Sequence, residues 1–239
     1  MNVLVRVVVV VAMLSAGTAG TVWAAQTPYV LNIMTPYSEH VLPHVVELTC
    51  GGQRMVPVRR PALEGLRGTV VEIGFGSGPN VGLYPDAVER VLAVEPSRRA
   101  REMATKRLAA HPSPPVEFVG LDGESLPIDD ASADAVLSTF TLCTIPDIDA
   151  AMHEIVRVLR PGGTLHFVEH GRSEDPKVYA RQVRFEPIQK RIGGGCHLTR
   201  DAAELACGVG LAVTRLDRFR LQGPKILTTM SCGTAVRPA

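Results

Sequence analysis

The residues of this 239-residue chain best placed to do chemistry begin at Glu72, in the run Val70-Val71-Glu72-Ile73-Gly74-Phe75-Gly76-Ser77-Gly78. An apolar strand running into a tight glycine turn opens a nucleotide-sized cleft at the end of a sheet. About twenty residues on, Val91-Leu92-Ala93-Val94-Glu95 reads as a second short strand ending in a carboxylate, the spacing of an acid that grips a ribose diol from the neighbouring strand. Together the two features point to an adenosine-containing cofactor. Neither is specific alone, because many strand-to-helix loops use glycine only for its positive φ.

The glycines discriminate among such cofactors. In the dinucleotide fingerprint G-x-G-x-x-G the third small residue lets helix and strand pack closely. Here that position is Pro79, and the glycines fall at 74, 76 and 78. Glu72, two residues before the first glycine, repels a pyrophosphate and attracts a cationic amino-acid group. S-adenosylmethionine carries a sulfonium and an ammonium and no phosphate. The E-x-G-x-G-x-G run is similar to motif I of the class I methyltransferases, whose cofactor it is. The competing reading, a Rossmann oxidoreductase binding NAD, is opposed by Pro79 and Glu72.

The elements that must position these residues alternate regularly. Strands are expected at 69–73, 91–95, 116–120, 134–138 and 164–169, with helices from about 79, at 97–110 and at 148–159. The helix after Pro146-Asp147 is expected to stop at Arg160-Pro161-Gly162-Gly163. The last third adds a helix at 199–207 and strands near 211–219 and 226–235. This is an α/β fold: a Rossmann-like, seven-stranded, mostly parallel sheet with helices on both faces and an antiparallel C-terminal edge hairpin. Three segments are expected: a hydrophobic N-terminal stretch over 1–25, a cap or connector over 26–66 and the methyltransferase domain over 67–239.

Ligands in such sheets bind beyond the carboxyl ends of the strands, so the remaining candidates are strand-end residues. Glu72, Gly74, Phe75, Gly76 and Gly78 form the turn, and Pro96 and Ser97 follow Glu95. Asp122 is placed to accept from the adenine amino group, with Gly123 and Glu124 offering backbone N–H; the bland alternative is an Asp capping its own loop. Thr139 and Phe140 either wall the sulfonium end or merely pack there. His170 and His197 are the candidate catalytic bases, needed for a phenol or alcohol acceptor and hardly at all for a thiol. Cys196 is either a substrate contact or an inert buried thiol.

Composition narrows the partners. A formal charge of +1 excludes a strong field for nucleic acid, and the basic run Arg98, Arg99, Arg101, Lys106 and Arg107 reads as a solvated helix face. Five cysteines without a C-x-x-C suggest a reducing compartment rather than disulfides or a zinc site. No metal is expected; His40 and His44 stand four apart, but Pro43 lies between them and no acid helps. Residues 7–25 hold no charge and follow Arg6, which fits a membrane anchor with a cytoplasmic catalytic domain. The alternatives are export through a signal cleaved after Ala24, or a start near Met34. Ser38–Leu48 reads as an amphipathic piece, and Lys177–Arg191 as either a lid touching substrate or membrane, or a solvated helix, interrupted at Pro187.

Further blocks sharpen the resemblance. Phe140-Thr141-Leu142-Cys143, Arg157-Val158-Leu159-Arg160-Pro161-Gly162-Gly163, Phe167-Val168-Glu169-His170 and Gly195-Cys196-His197-Leu198-Thr199-Arg200 follow motif I in an order resembling the membrane-associated thiol methyltransferase-like family and its bacterial relatives, over residues 65 to 235. The R-V-L-R-P-G-G block is shared with the ubiquinone and menaquinone enzymes and marks only the superfamily. The resemblance implies methyl transfer from S-adenosylmethionine to a small-molecule acceptor, a thiol among the candidates, with membrane contact through the N-terminal segment. It assigns the amino-acid end to Glu72 and the glycines, the ribose to Glu95 and the adenine to Asp122. Glu95 stands where animal members have Asp, which keeps the chemistry; His197 stands where they have Asn, which leaves acceptor specificity open. The alternatives are an O- or C-methyltransferase for a phenol, quinone or lipid-like acceptor, and a non-catalytic S-adenosylmethionine-binding protein.

Overall fold

The computed structural model describes residues 36–120 and 122–239. The apolar segment over 1–25 and the start near Met34 lie outside the described residues. Among those described, no helix is long and apolar enough to cross a membrane.

Two short helices, α1 (Pro36–His40) and α2 (Leu42–Val46), run into a π-helical turn at Glu47–Gly51 and a 3-10 turn at Gln53–Met55. Helix α3 (Val56–Leu63) follows, then β1 (Gly68–Ile73), β2 (Val88–Val94), α4 (Arg98–Ala110), β3 (Val116–Gly120), β4 (Ala133–Thr139), α5 (Ile148–Val158) and β5 (Leu159–His170). The chain ends with α6 (Pro176–Ile192), α7 (Ala202–Gly208), β6 (Ala212–Arg220), α8 (Lys225–Thr228) and β7 (Thr229–Val236). The seven strands form one sheet in the order β3-β2-β1-β4-β5-β7-β6. The first five pair in parallel, and β7 pairs antiparallel with both β5 and β6. The expected fold class is borne out.

Period-two alternation builds a core on each face of the sheet. Val71, Ile73, Leu92, Val94 and Val136 point to the layer that packs Met152, Ile155 and Val158 of α5 and Ala206 of α7. Val70, Val91, Ala93, Ala135 and Leu137 point to the other, with Ala62 and Leu63 of α3, Phe75 and Ala104. Being buried on both faces, the central strands read as near-continuous apolar runs. Glu72 is the carboxylate in that layer. Helix starts are capped as the sequence signals: Ser97 accepts from the Ala100 N–H, Asp147 from the Ala150 N–H, and Asp201 from the N–H groups of Ala203 and Glu204.

Two expectations are overturned. No helix begins at 79; residues 76–84 form successive turns, with Val81 N–H bonded to Gly78 O and Leu83 N–H to Asn80 O. Gly82 sits at φ +81°, outside helical space, between Pro79 and Pro85. The turns serve Glu72, because they deliver Asn80 and Tyr84 to it. Pro187, for its part, does not interrupt α6, which runs through it. The carbonyl deprived of a donor there is that of Val183, whose residue is exposed.

Candidate cofactor and acceptor site

The glycine turn closes at the carboxyl ends of β1 and β2. Gly74, Gly76 and Gly78 all have positive φ, at 73°, 60° and 75°. Gly74 is also sterically required, because a Cβ there would lie 2.1 Å from Thr141 Oγ1. At Gly76 the nearest atoms to such a Cβ are 3.9 Å away, an ordinary van der Waals contact, so positive φ rather than crowding calls for glycine there.

Glu95, 7% exposed, ties this turn to β2. Its Oε2 accepts the Gly76 N–H at 2.7 Å and its Oε1 the Ser97 N–H at 2.8 Å. Burial raises its pKa, against the pull of the two N–H donors at Ser97 and Gly76. Each oxygen keeps a lone pair for a ribose hydroxyl. The Gly76 N–H that a dinucleotide would need for its pyrophosphate is already given to a carboxylate. Pro96 follows Glu95 and carries the chain to Ser97, the cap of α4.

Glu72 is fully buried beneath the turn. Asn80 Nδ2 donates to its Oε1 at 2.8 Å and the Tyr84 hydroxyl donates to its Oε2. Burial pushes its pKa up to about 7, opposed by the hydrogen bonds from Tyr84 and Asn80 and by the Arg59 charge. For a carboxyl raised this way, the stability it contributes is fully present below its ordinary pKa of 4.5 and is lost as pH rises through about 7. Glu72→Gln is therefore expected to flatten the pH dependence of stability. In urea titrations at about pH 5 and pH 8, wild type should lose on the order of 2 kcal/mol more than the variant across that interval. Equal losses would show that Glu72 stays ionised in the fold.

Arg59, which sequence reading missed, organises this region from the connector. Only 3% exposed, it donates from Nη1 to Thr139 Oγ1 at 2.6 Å and to Asn80 Oδ1 at 3.2 Å. Its Nε and Nη2 both reach Cys50 O, at 3.1 and 2.8 Å, and the guanidinium lies 4.8 Å from the centre of the Phe140 ring. Thr139 is thus enclosed in a polar network, while Phe140 holds a positive φ of 61° at the strand end. The connector also meets the glycine turn directly: the Ser77 hydroxyl donates to Glu47, which pairs with Arg107 at 2.5 Å. Glu39 accepts from the Arg99 N–H at 3.1 Å.

Around the adenine candidate, Asp122 Oδ1 accepts the Glu124 N–H at 2.8 Å, so it does cap its own loop, and it remains exposed. Glu124 Oε1 in turn accepts the Asp147 N–H at 2.8 Å. Gly123 packs close to Ile73, where a Cβ would come within 3.1 Å of Cγ2.

On the other side of the turn, at the ends of β4 and β5, stands a second cluster. Glu169 Oε1 accepts from the Ser138 hydroxyl at 2.7 Å and from the N–H groups of Thr141 and Leu142 at 3.0 and 3.1 Å. These bonds fix the loop that carries Cys143. Cys143 and Cys196, both buried, have their sulfurs 3.5 Å apart, and His170 Nδ1 lies 3.3 Å from Cys196 Sγ. Burial pulls the His170 pKa down, but Cys143 and the acids Glu169 and Glu186 more than offset it, leaving a net rise. The His197 backbone N–H donates to Cys143 O at 2.7 Å, and its side-chain Nδ1 lies 3.2 Å from Glu186. Burial and the charges of Arg200 and Lys190 lower its pKa despite that acid. The two histidines of the sequence reading therefore reach one neighbourhood, through the chain around Cys143. Helix α6 contributes Glu186 to this neighbourhood, while its apolar residues Tyr179, Val183 and Ile188 are exposed.

Comparison with known proteins identifies the family. A methyltransferase-domain family matches residues 71–167. The human thiol S-methyltransferase TMT1B is 33% identical over 179 residues, 73% of this chain and 70% of that protein. Its rat counterpart is 35% identical over 136 residues, 56% of this chain and 55% of that protein. The phosphoethanolamine N-methyltransferase 2 of Haemonchus contortus, solved with S-adenosyl-L-methionine, superposes with a TM-score of 0.64 at 13% identity, covering 89% of this chain and 60% of that one. With a glycine turn, a strand-end acid and this kinship, the chain belongs to the class I S-adenosylmethionine-dependent methyltransferases.

Proposed function

We propose that the protein transfers a methyl group from S-adenosylmethionine to a small thiol. The observation that carries this reading is Glu95, which holds the Gly76 and Ser97 N–H groups at the junction of β1 and β2 and keeps lone pairs for a ribose diol. Bound there, the cofactor supplies a methyl carbon already activated by its sulfonium. The glycine turn offers backbone to the amino-acid end, with Glu72, neutral or ionised, ordering the turn through Asn80 and Tyr84. This reading assigns the adenine to Asp122, whose Oδ1 is held by the Glu124 N–H, and to the Gly123 backbone, and the sulfonium end to Thr139 and Phe140.

The acceptor side favours sulfur. Its two histidines are already engaged, His170 with Cys196 and His197 with Glu186. A phenol or alcohol needs a strong, dedicated base, whereas a thiol is partly ionised near neutral pH. In this reading the acceptor sulfur bonds to the methyl carbon as the carbon–sulfonium bond breaks. The acceptor reacts as its thiolate, its proton already released to solvent, so no dedicated base is required. The thiol S-methyltransferase names of the relatives support the same class. The uncharged 7–25 segment supports residence at a membrane, and five cysteines without a C-x-x-C support a reducing, cytoplasmic side for the catalytic domain.

An acceptor screen with radiolabelled methyl donor tests this directly. Small alkyl thiols are expected to be methylated well above phenols and quinols. Turnover of phenols or quinols alone would replace the thiol reading with O- or C-methylation, and cofactor binding without any acceptor would leave a binding protein.

A further inference from the structure

Cys143, His170 and Cys196 come from three separate places in the chain, yet one donor atom from each lies within 4.8 Å of the others. The sulfurs are 3.5 Å apart and Cys196 Sγ is 3.3 Å from His170 Nδ1. Around a tetrahedral ion, sulfur at about 2.3 Å and nitrogen at about 2.0 Å put neighbouring ligands roughly 3.5–3.8 Å apart. Two of the three separations are already close to that spacing, and the third, between Cys143 and His170, is within 4.8 Å.

We propose that these three side chains form a binding site for a thiophilic divalent cation of the zinc class. Two thiolates and an imidazole suit such an ion and not magnesium or calcium, whose ligands are oxygens. Two thiolates also balance its charge inside a buried site. The surroundings hold the ligands in place, as outer-shell contacts do at metal centres. Glu169 fixes the loop before Cys143 through Thr141 and Leu142 N–H, and Arg200 Nη1 donates to Leu142 O and Ile145 O at 2.8 and 2.7 Å. The His197 N–H to Cys143 O bond joins the segment bearing Cys196 to that loop. Three protein ligands leave a fourth tetrahedral position for water or an incoming thiolate, the pattern of reactive rather than purely structural zinc sites. Cys50, Cys207 and Cys232 stand outside the cluster.

The test is metal content, which can be read whether or not thiols are the acceptor. The full chain, kept reduced with a phosphine and supplied with zinc, should retain roughly one equivalent per chain after desalting. Cobalt should give sulfur-to-metal charge-transfer bands together with the visible bands of a tetrahedral ion. Cys143→Ser, Cys196→Ser and His170→Asn should each lose the cobalt spectrum and the zinc, while Cys232→Ser keeps both. Because such variants can fail to fold, wild type supplies a second readout. Zinc should protect Cys143 and Cys196 from alkylation, mapped by mass spectrometry, and a chelator should remove that protection. Reduced wild type that retains no zinc and alkylates Cys143 and Cys196 equally with and without it would overturn the proposal. So would recovery of a Cys143–Cys196 disulfide from a protein that never takes up metal.

Discussion

Glu95→Ala is expected to abolish useful affinity for S-adenosylhomocysteine, with a loss of at least 100-fold, on the order of 3 kcal/mol. Two effects combine. The ribose loses a carboxylate acceptor, and hydrogen bonds to a charged group contribute about 1.5–3 kcal/mol each. The Gly76 and Ser97 N–H groups also lose their partner, so the turn is no longer tied to β2. Glu95→Gln keeps one oxygen acceptor and should fall between the two. Calorimetric titration with S-adenosylhomocysteine and with NAD measures this; wild type should bind the first tightly and the second barely. An alanine variant that binds within about threefold of wild type, well under 1 kcal/mol, would remove Glu95 from the cofactor site.

Arg59→Met should cost on the order of 3 kcal/mol of folding stability, because it leaves buried neutral acceptors short of a donor at about 1–3 kcal/mol each. The guanidinium satisfies Thr139 Oγ1, Asn80 Oδ1 and, twice, Cys50 O, all within a region where Glu72 is fully buried. Methionine fills much of the volume and supplies no donor. Its loss therefore reaches both the strand end that carries Thr139 and the connector that carries Cys50. Arg59→Lys retains the charge but lacks the planar fork, so it should recover only part of the stability. Urea unfolding measures the cost, and limited proteolysis should show earlier cleavage around Cys50 in the methionine variant. A change below about 1 kcal/mol would mean that water replaces the guanidinium without penalty.

Both variants act on the same junction, at different depths. Glu95 was legible in the sequence because a strand-end acid about twenty residues after a glycine turn is a local, one-dimensional signal. Arg59 carried no such signal. It lies in a segment that read only as a connector, and its partners Cys50, Asn80 and Thr139 are spread over much of the chain. The turn region 79–84 misled for a related reason. Alternation of strands and helices called for a helix there, but Glu72, buried with both oxygens needing donors, is met by Asn80 and Tyr84 on a non-helical path.

What the residue order determined by itself was whatever depends on neighbours in the chain. Apolar runs set the five parallel strands, Ser97, Asp147 and Asp201 set helix starts, and glycines at 74, 76 and 78 set a turn only positive φ allows. What only the tertiary structure decided was which distant polar groups share a buried space. Cys143, His170 and Cys196 have no metal-like spacing along the chain, yet sheet order and the His197–Cys143 backbone bond bring them together. Local propensity acts over a few residues, whereas burial obliges polar groups to find partners wherever packing delivers them.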